Sequence, residues 1–242
     1  MSEAVKGVVW CLFDGSGIMG LPWAEAGYQV YCFNASSGDH GEYFVKMTHP
    51  NITFVDTWID RTFDPTGMGV AGGDTPSLIV GFPPCTMLAG CGEQHERTEE
   101  QIQEALENVR IVETLGNKHG VPWMIENPVG KLSTMWRKPN HYFHPWEYGG
   151  HLKEEEGSYH PKMPVCDGYT KKTCIWCGNG FIMPPKHPAK EYQNWFWGWK
   201  SLGGDSPKTK QLRSLTPRGF ARAVFKANGG QHEREETGSI SS

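Results

Sequence analysis

The sequence predicts a doubly wound, mostly parallel α/β sheet with a small irregular second lobe attached. Three observations carry this reading. Short apolar runs alternate with loops and helical stretches over the first 130 residues, the pattern of a parallel sheet crossed by helices. The first run opens onto a glycine-rich turn and then a helix, the start of a Rossmann-like nucleotide-binding unit. Beyond residue 130 no period is sustained until a final amphipathic stretch.

Residues 8–13, Val-Val-Trp-Cys-Leu-Phe, form the first buried strand. Asp14-Gly15-Ser16-Gly17-Ile18-Met19-Gly20 follows, and residues 21–27 form a short helix that Gly27 ends in the left-handed conformation. Gly15-x-Gly17-x-x-Gly20 has the dinucleotide spacing, a weak signal alone, and such glycines let a ligand approach the backbone. A second strand over 28–33 ends at Asn34, and a third over 52–55 ends at Asp56. Composition makes residues 64–76 a flexible loop. The fourth strand, 77–82, stops at Pro83-Pro84 because proline gives no N–H to a ladder.

The clearest helix begins at the capping box Thr98-x-x-Gln101, and Ile102, Ala105, Leu106, Val109, Val112 and Leu115 share one face. It ends between Gly116 and Gly120. A fifth strand over 121–125 ends at Glu126-Asn127-Pro128. Residues 131–212, rich in Pro, Trp, His and Lys, read as an irregular lobe of loops and short strands. Residues 216–228 read as a helix with Pro217 in its first turn. The expected organisation is a sheet domain over 1–130, the lobe over 131–212, a returning helix within 213–228 and a disordered tail over 229–242.

With 38% apolar residues and ten tryptophans, the chain can bury a sizeable core, and no apolar run approaches membrane-spanning length. The first residues lack the pattern of a signal peptide, and seven cysteines, an odd number, point to reduced thiols in a cytoplasm. The net charge of −4 hides a strong asymmetry. Residues 1–129 carry 6 Lys/Arg against 17 Asp/Glu, whereas residues 130–228 carry 16 against 7. A basic half of this kind suits a polyanionic partner.

Two strand ends carry reactive groups. Cys85 sits on a two-proline turn, where its direction is fixed before a substrate arrives, just past the carboxyl end of the fourth strand. Glu126 ends the fifth. Neighbouring strand ends lie roughly 5 Å apart, so thiol and carboxylate can face one pocket.

At these positions the chain resembles the DNA cytosine-5 methyltransferases, most nearly their short phage-encoded members. Phe13-Asp14-Gly15-Ser16-Gly17 is similar to the family's first motif, Gly81-Phe82-Pro83-Pro84-Cys85 to its nucleophile motif, and Glu126-Asn127-Pro128 to its Glu-Asn-Val motif. Arg213-Ser214-Leu215-Thr216-Pro217-Arg218 resembles the Arg-x-Leu-Thr-Pro-Arg segment near the family's C-terminus. Pro84-Cys85-Thr86-Met87-Leu88 and Lys171-Lys172-Thr173-Cys174-Ile175-Trp176 match the phage members. The four family motifs stand in the family's order, and the resemblance spans most of residues 7–228.

The resemblance implies the Rossmann-like fold of adenosylmethionine-dependent methyltransferases. It also implies transfer of a methyl group from S-adenosyl-L-methionine to carbon 5 of cytosine in DNA. Cys85, as thiolate, would add to carbon 6 of a flipped-out base, and Glu126 would hold ring nitrogen 3 and the exocyclic amine. Pro84 and Asn127 complete the implied catalytic set. Phe13, Asp14, Gly15, Gly17, Asn34, Asp56, Thr57 and Pro84 would form the cofactor site, with Asp56 near the adenine and Pro84 on its far side. Asn34 stands where the family usually has an acidic residue for the ribose hydroxyls, and Asp14 and Ile18 stand where small residues are usual.

The family's Gln-x-Arg-x-Arg motif is missing, and Lys171, Lys172 and Thr173, with Arg213, are its nearest substitutes for substrate binding. The basic lobe would then be a small target-recognition region with salt-sensitive phosphate affinity. The implied setting is a monomer acting on DNA, away from membranes, in the cytoplasm of a host cell if phage-encoded. The alternatives are a related cytosine-5 modification with another donor or on a nucleotide, such as hydroxymethylation, and a catalytically silent DNA-binding homologue. Intact Cys85 and Glu126 argue against the silent form. Cys174-x-x-Cys177, with Cys166 and His160 or His187, offers a weak zinc pattern, and no metal is expected.

Overall fold

The computed structural model describes residues 5–38, 41–68, 75–88, 98–204 and 206–229. Seven strands form one sheet: β1 (Val8–Leu12), β2 (Gln29–Asn34), β3 (Ile52–Asp56), β4 (Leu78–Gly81), β5 (Trp123–Pro128), β6 (His141–Phe143) and β7 (Thr173–Gly178). Their spatial order is β3-β2-β1-β4-β5-β7-β6. The first five are parallel, β7 runs antiparallel to β5, and β6 runs antiparallel to β7. This is the Rossmann-like α/β architecture expected, with one reversed strand. Chain direction across the sheet switches between β1 and β4, so the crevice beyond their carboxyl ends is where such sheets take ligands.

Alternation along the strands divides the core. Val9 and Cys11 of β1 face one layer with Trp23 and Phe220, while Val8, Trp10 and Leu12 face the other with Val109 and Val112. Helix α1 (Leu21–Glu25) lies on the first side. Helix α2 (Glu99–His119) covers the second, where it buries Ala105, Leu106, Val109, Ile111, Val112 and Leu115. Its start is the expected capping box: Thr98 Oγ1 accepts from Gln101 N at 3.2 Å, and Gln101 Oε1 accepts from Thr98 N at 3.1 Å. Gly120, at φ 65°, closes it in the left-handed conformation.

The aperiodic stretch 131–212 contributes more order than its sequence shows. It supplies β6 and β7 to the sheet itself, together with helices α3 (Leu132–Met135) and α4 (Trp197–Lys200). Helix α5 (Pro207–Ser214) spans the boundary with the next segment, and α6 (Arg218–Asn228) is the expected final helix. Phe220 of α6 stacks on Phe143 of β6 with centroids 4.1 Å apart, and Tyr28 Oη donates to Gly229 O at 2.6 Å. The last helix is thereby fixed across α1 and the sheet.

Three expectations need correction or limit. Glu126, Asn127 and Pro128 do not follow the fifth strand but lie inside it, because β7 runs alongside and extends the ladder to Pro128–Thr173. Of the loop over 64–76, Pro65–Gly67 form a 3-10 turn, and residues 69–74 lie outside the described residues. Of the tail, residues 230–242 lie outside them too.

Candidate active site

The turn after β1 is made by one buried carboxylate. Asp14 Oδ1 accepts from Ser16 N, Ser16 Oγ and Gly17 N, each at 2.8 Å, which folds residues 14–17 around it. Burial raises the Asp14 pKa, and those hydrogen bonds oppose the rise. Phe13 enters the turn at φ 58°, a left-handed conformation that costs a residue with a side chain on the order of 1 kcal/mol. Gly17 takes φ 73°. Gly15 is constrained by proximity instead: a Cβ there would lie 2.1 Å from Tyr43 Cδ2. The ring of Tyr43 therefore lies directly on the turn.

The turn after β4 is held from the neighbouring strand. Phe82 N donates to Leu12 O at 3.0 Å, and Leu88 N donates to Cys85 O at 2.9 Å, so the chain bends sharply at Cys85. Asn127, buried in β5, donates its side-chain amide to Pro83 O at 2.9 Å. That carbonyl lies past the end of β4, and Asn127 supplies it with a donor. Cys85 is half-buried and Pro84 is exposed.

Glu126 sits one residue before that clamp. Burial raises its carboxyl pKa, with the Lys171 ammonium pulling the other way. Lys171 Nζ donates to Arg213 O at 3.0 Å. The Tyr43 hydroxyl lies 3.5 Å from Ser214 Oγ, and its pKa is pushed up to about 12 by burial, with the charges of Asp14 and Cys85 adding to the effect. Tyr43 thus lies between the glycine turn and the last residue of α5, near enough to Cys85 to respond to its charge. The sequence gives no sign of it, because it lies in a stretch with neither period nor motif.

Two cavities open at this edge and meet at Asn34. The larger, about 420 Å³, is lined by Phe13, Asn34, Trp58, Ile59, Pro84 and the α2 residue Glu104, among others. The smaller, about 300 Å³, includes Gly15, Asn34, Tyr43, Lys46 and Asp56 in its lining. Of the residues expected around a cofactor, Phe13 and Pro84 line the larger space, Gly15 and Asp56 the smaller and Asn34 both, whereas Gly17 and Thr57 line neither. Asn34 pairs with Asp56 across β2 and β3, and Thr57 N donates to Asn34 O at 3.2 Å. Asp56 accepts from Ser36 N at 2.9 Å and Ser36 Oγ at 2.5 Å, hydrogen bonds that lower its pKa. Asp14 lies beneath the turn and lines neither cavity.

The residues expected to touch a substrate divide by environment. Lys172 is exposed, with Nζ 4.6 Å from the Tyr142 ring centroid. Thr173 is buried, and its hydroxyl donates to Lys171 O at 3.0 Å. The Arg213 guanidinium donates to Gly198 O and Leu202 O, each at 2.9 Å, and lies 4.8 Å from the Trp199 ring. It braces the 198–202 segment.

The Cys174–Cys177 zinc pattern does not assemble. Three positions apart on a strand, the two side chains leave opposite faces, and they pack against different core layers. Among the described residues, the group with metal-compatible spacing is Cys11, Asp14 and Cys32, whose ligand atoms lie within 4.8 Å of one another, buried below the glycine turn. No helix among the described residues is long and apolar enough to cross a membrane.

No protein-family model matches the chain, and no curated protein matches its sequence. Several solved structures show partial likeness. One is a candidate DNA modification methyltransferase encoded within an E. coli prophage, at 16% identity and a TM-score of 0.42, covering 71% of this chain and 46% of that one. Another is the Bordetella bronchiseptica enzyme WbmH in complex with NAD+, at 16% identity and a TM-score of 0.32, covering 48% and 36%. A third is the glycopeptide N-methyltransferase MtfA complexed with S-adenosyl-L-homocysteine, at 14% identity and a TM-score of 0.30, covering 59% and 53%. The chain thus spans between about a third and just over half the length of these proteins.

Proposed function

We propose that this protein transfers a methyl group from S-adenosyl-L-methionine to carbon 5 of cytosine in DNA, through a covalent adduct on Cys85. The observation that carries the reading is the Asn127 clamp. It couples the strand bearing Glu126 to the turn bearing Cys85, at the carboxyl ends of adjacent strands beside the switch point. A thiol and a carboxyl of raised pKa on neighbouring strand ends suit attack on a pyrimidine ring, which needs a nucleophile at one ring atom and a proton held at another.

Cytosine carbon 5 becomes nucleophilic only after a nucleophile adds at carbon 6. The Cys85 thiolate forms that carbon–sulfur bond, and electron density moves through carbon 5 toward ring nitrogen 3. Glu126, whose environment favours its protonated form, holds the proton at nitrogen 3 and offsets the developing charge. After carbon 5 has been alkylated, loss of its proton and departure of Cys85 restore the aromatic ring. The base must leave a helix to reach these groups, at a cost of a few kcal/mol.

The residues present suit adenosylmethionine. Gly15 lines the smaller cavity beside the Tyr43 ring, and the larger cavity, between Phe13 and Pro84, offers apolar surfaces on which an adenine could pack. Asn34 would hydrogen-bond the ribose, and Asp56 brings negative charge to the adjacent strand end. The bound cofactor would supply an electrophilic methyl group.

The test is mass analysis of nucleosides from DNA incubated with the protein and adenosylmethionine, with Cys85→Ser as control. The expected outcome is 5-methylcytosine with the intact protein alone. A different modified cytosine would move the reading to another donor, and activity in Cys85→Ser would sink the covalent route.

A further inference from the structure

Six aromatic side chains among the described residues are both large and exposed: Phe44, Trp58, Tyr142, Tyr192, Trp195 and Trp199. Four of them carry a cation at ring distance. Lys208 lies 5.1 Å from the Phe44 centroid and Lys172 lies 4.6 Å from that of Tyr142. Lys200 and Arg213 lie 4.8 Å from Trp195 and Trp199. Contacts lead from these rings to the candidate site. Lys171, the cation facing Glu126, donates to Arg213 O and lies 5.5 Å from the Phe196 ring, which meets Trp199 edge-on at 6.2 Å. Phe44 follows Tyr43, and Phe44 N donates to Gln211 Oε1, two residues from Arg213.

From this we infer that the mouth of the Glu126 site binds DNA as a single strand or a locally unpaired stretch, with bases stacked on these rings, in preference to an intact duplex. The inference rests on the DNA reading above and adds the form of the substrate. A duplex presents phosphates and base edges to a protein, and its base faces are covered by stacking, so exposed rings gain little from it. An unpaired strand presents a flat π-face and a phosphate on each nucleotide. A ring with a fixed cation beside it answers both at once, because the ring takes the base and the cation takes the phosphate. Charge complementarity favours a polyanion here, since residues 130–228 carry 16 Lys/Arg against 7 Asp/Glu, and the exposed rings choose between its forms.

The experiment measures anisotropy of a labelled, cytosine-containing strand of about 16 nucleotides, alone and as its duplex, against the full chain and its Trp195→Ala and Trp199→Ala variants. Tighter binding of the single strand is expected, with each substitution weakening it by about tenfold and leaving the duplex affinity unchanged. Trp199→Phe keeps a stacking face and should retain most of the affinity, which separates lost stacking from lost folding. Equal or tighter duplex binding, or an equal loss on both forms, overturns the inference. Methylation of the single strand, below saturation, by a Trp199→Ala protein at the unsubstituted rate overturns it too and leaves the proposed reaction standing. Failure to bind either form, with no modified nucleoside, removes the DNA reading along with it.

Discussion

The turns after β1 and β4 occupy equivalent places on either side of the switch point, yet they are built in opposite ways. The first is made of glycines gathered around the buried Asp14 carboxylate, with the Tyr43 ring laid on it, so it brings backbone rather than side chain to the lining of the smaller cavity. The second is made of prolines and fastened from outside by Asn127, so it fixes backbone and aims one thiol. One is suited to being approached and the other to attacking. The difference suggests that binding and chemistry can be damaged separately, although the turns are joined by the Phe82–Leu12 hydrogen bond.

Four substitutions test that separation. Cys85→Ser should lower methyl transfer by on the order of 10³-fold or more, while adenosylhomocysteine affinity by calorimetry stays unchanged. Loss of cofactor binding in that variant would show that the two turns do not act independently. Glu126→Gln should lower the rate by about 10²-fold and flatten its pH dependence. In the unsubstituted protein the Glu126 pKa is raised, so the form that holds a proton persists to higher pH, and the rate should fall as pH rises through that pKa. A rate that instead grows with pH across that range would give Glu126 the role of base.

Asn127→Ala leaves Pro83 O without its partner and frees the thiol's direction, so turnover should fall by about 10-fold to 10²-fold. Cofactor affinity should hold, and a simple labelling assay should still find the thiol. The smallest effect is expected at Gly15→Ala, whose methyl group meets the Tyr43 ring. Adenosylhomocysteine binding should weaken by about tenfold while Cys85 alkylation by iodoacetamide keeps its rate. Weakening of both would mark Tyr43 as a structural link between the turns.

The parts of this edge that the sequence reveals are those set by local chemistry. Glycine and proline punctuate the two turns, the Thr98 capping box starts α2, and apolar runs mark the first four strands. What it hides depends on distant pairing. Glu126 and Asn127 look like residues past a strand end, because only β7, whose Thr173 pairs with Pro128, makes them part of the ladder. β6 is three residues long and β7 six, each formed by its neighbour more than by its own pattern, so both vanish in an aperiodic stretch. Tyr43 reaches Gly15 from a loop without a motif, and the Cys174–Cys177 spacing suggests a shared ligand only until the strand's two-residue period separates the thiols.

The late arrival of β7 also bears on how the chain is made. Synthesis runs from the N-terminus, so β1 to β5 emerge well before residues 173–178. Through that interval β5 is an edge strand, with the apolar Trp123, Met124 and Ile125 beside a row of unpaired backbone groups, a template for pairing with another nascent chain. Polypeptides that stop between residues 129 and 172 keep that edge for good. Aggregation should therefore rise sharply for truncations short of β7 and ease once its six residues are present.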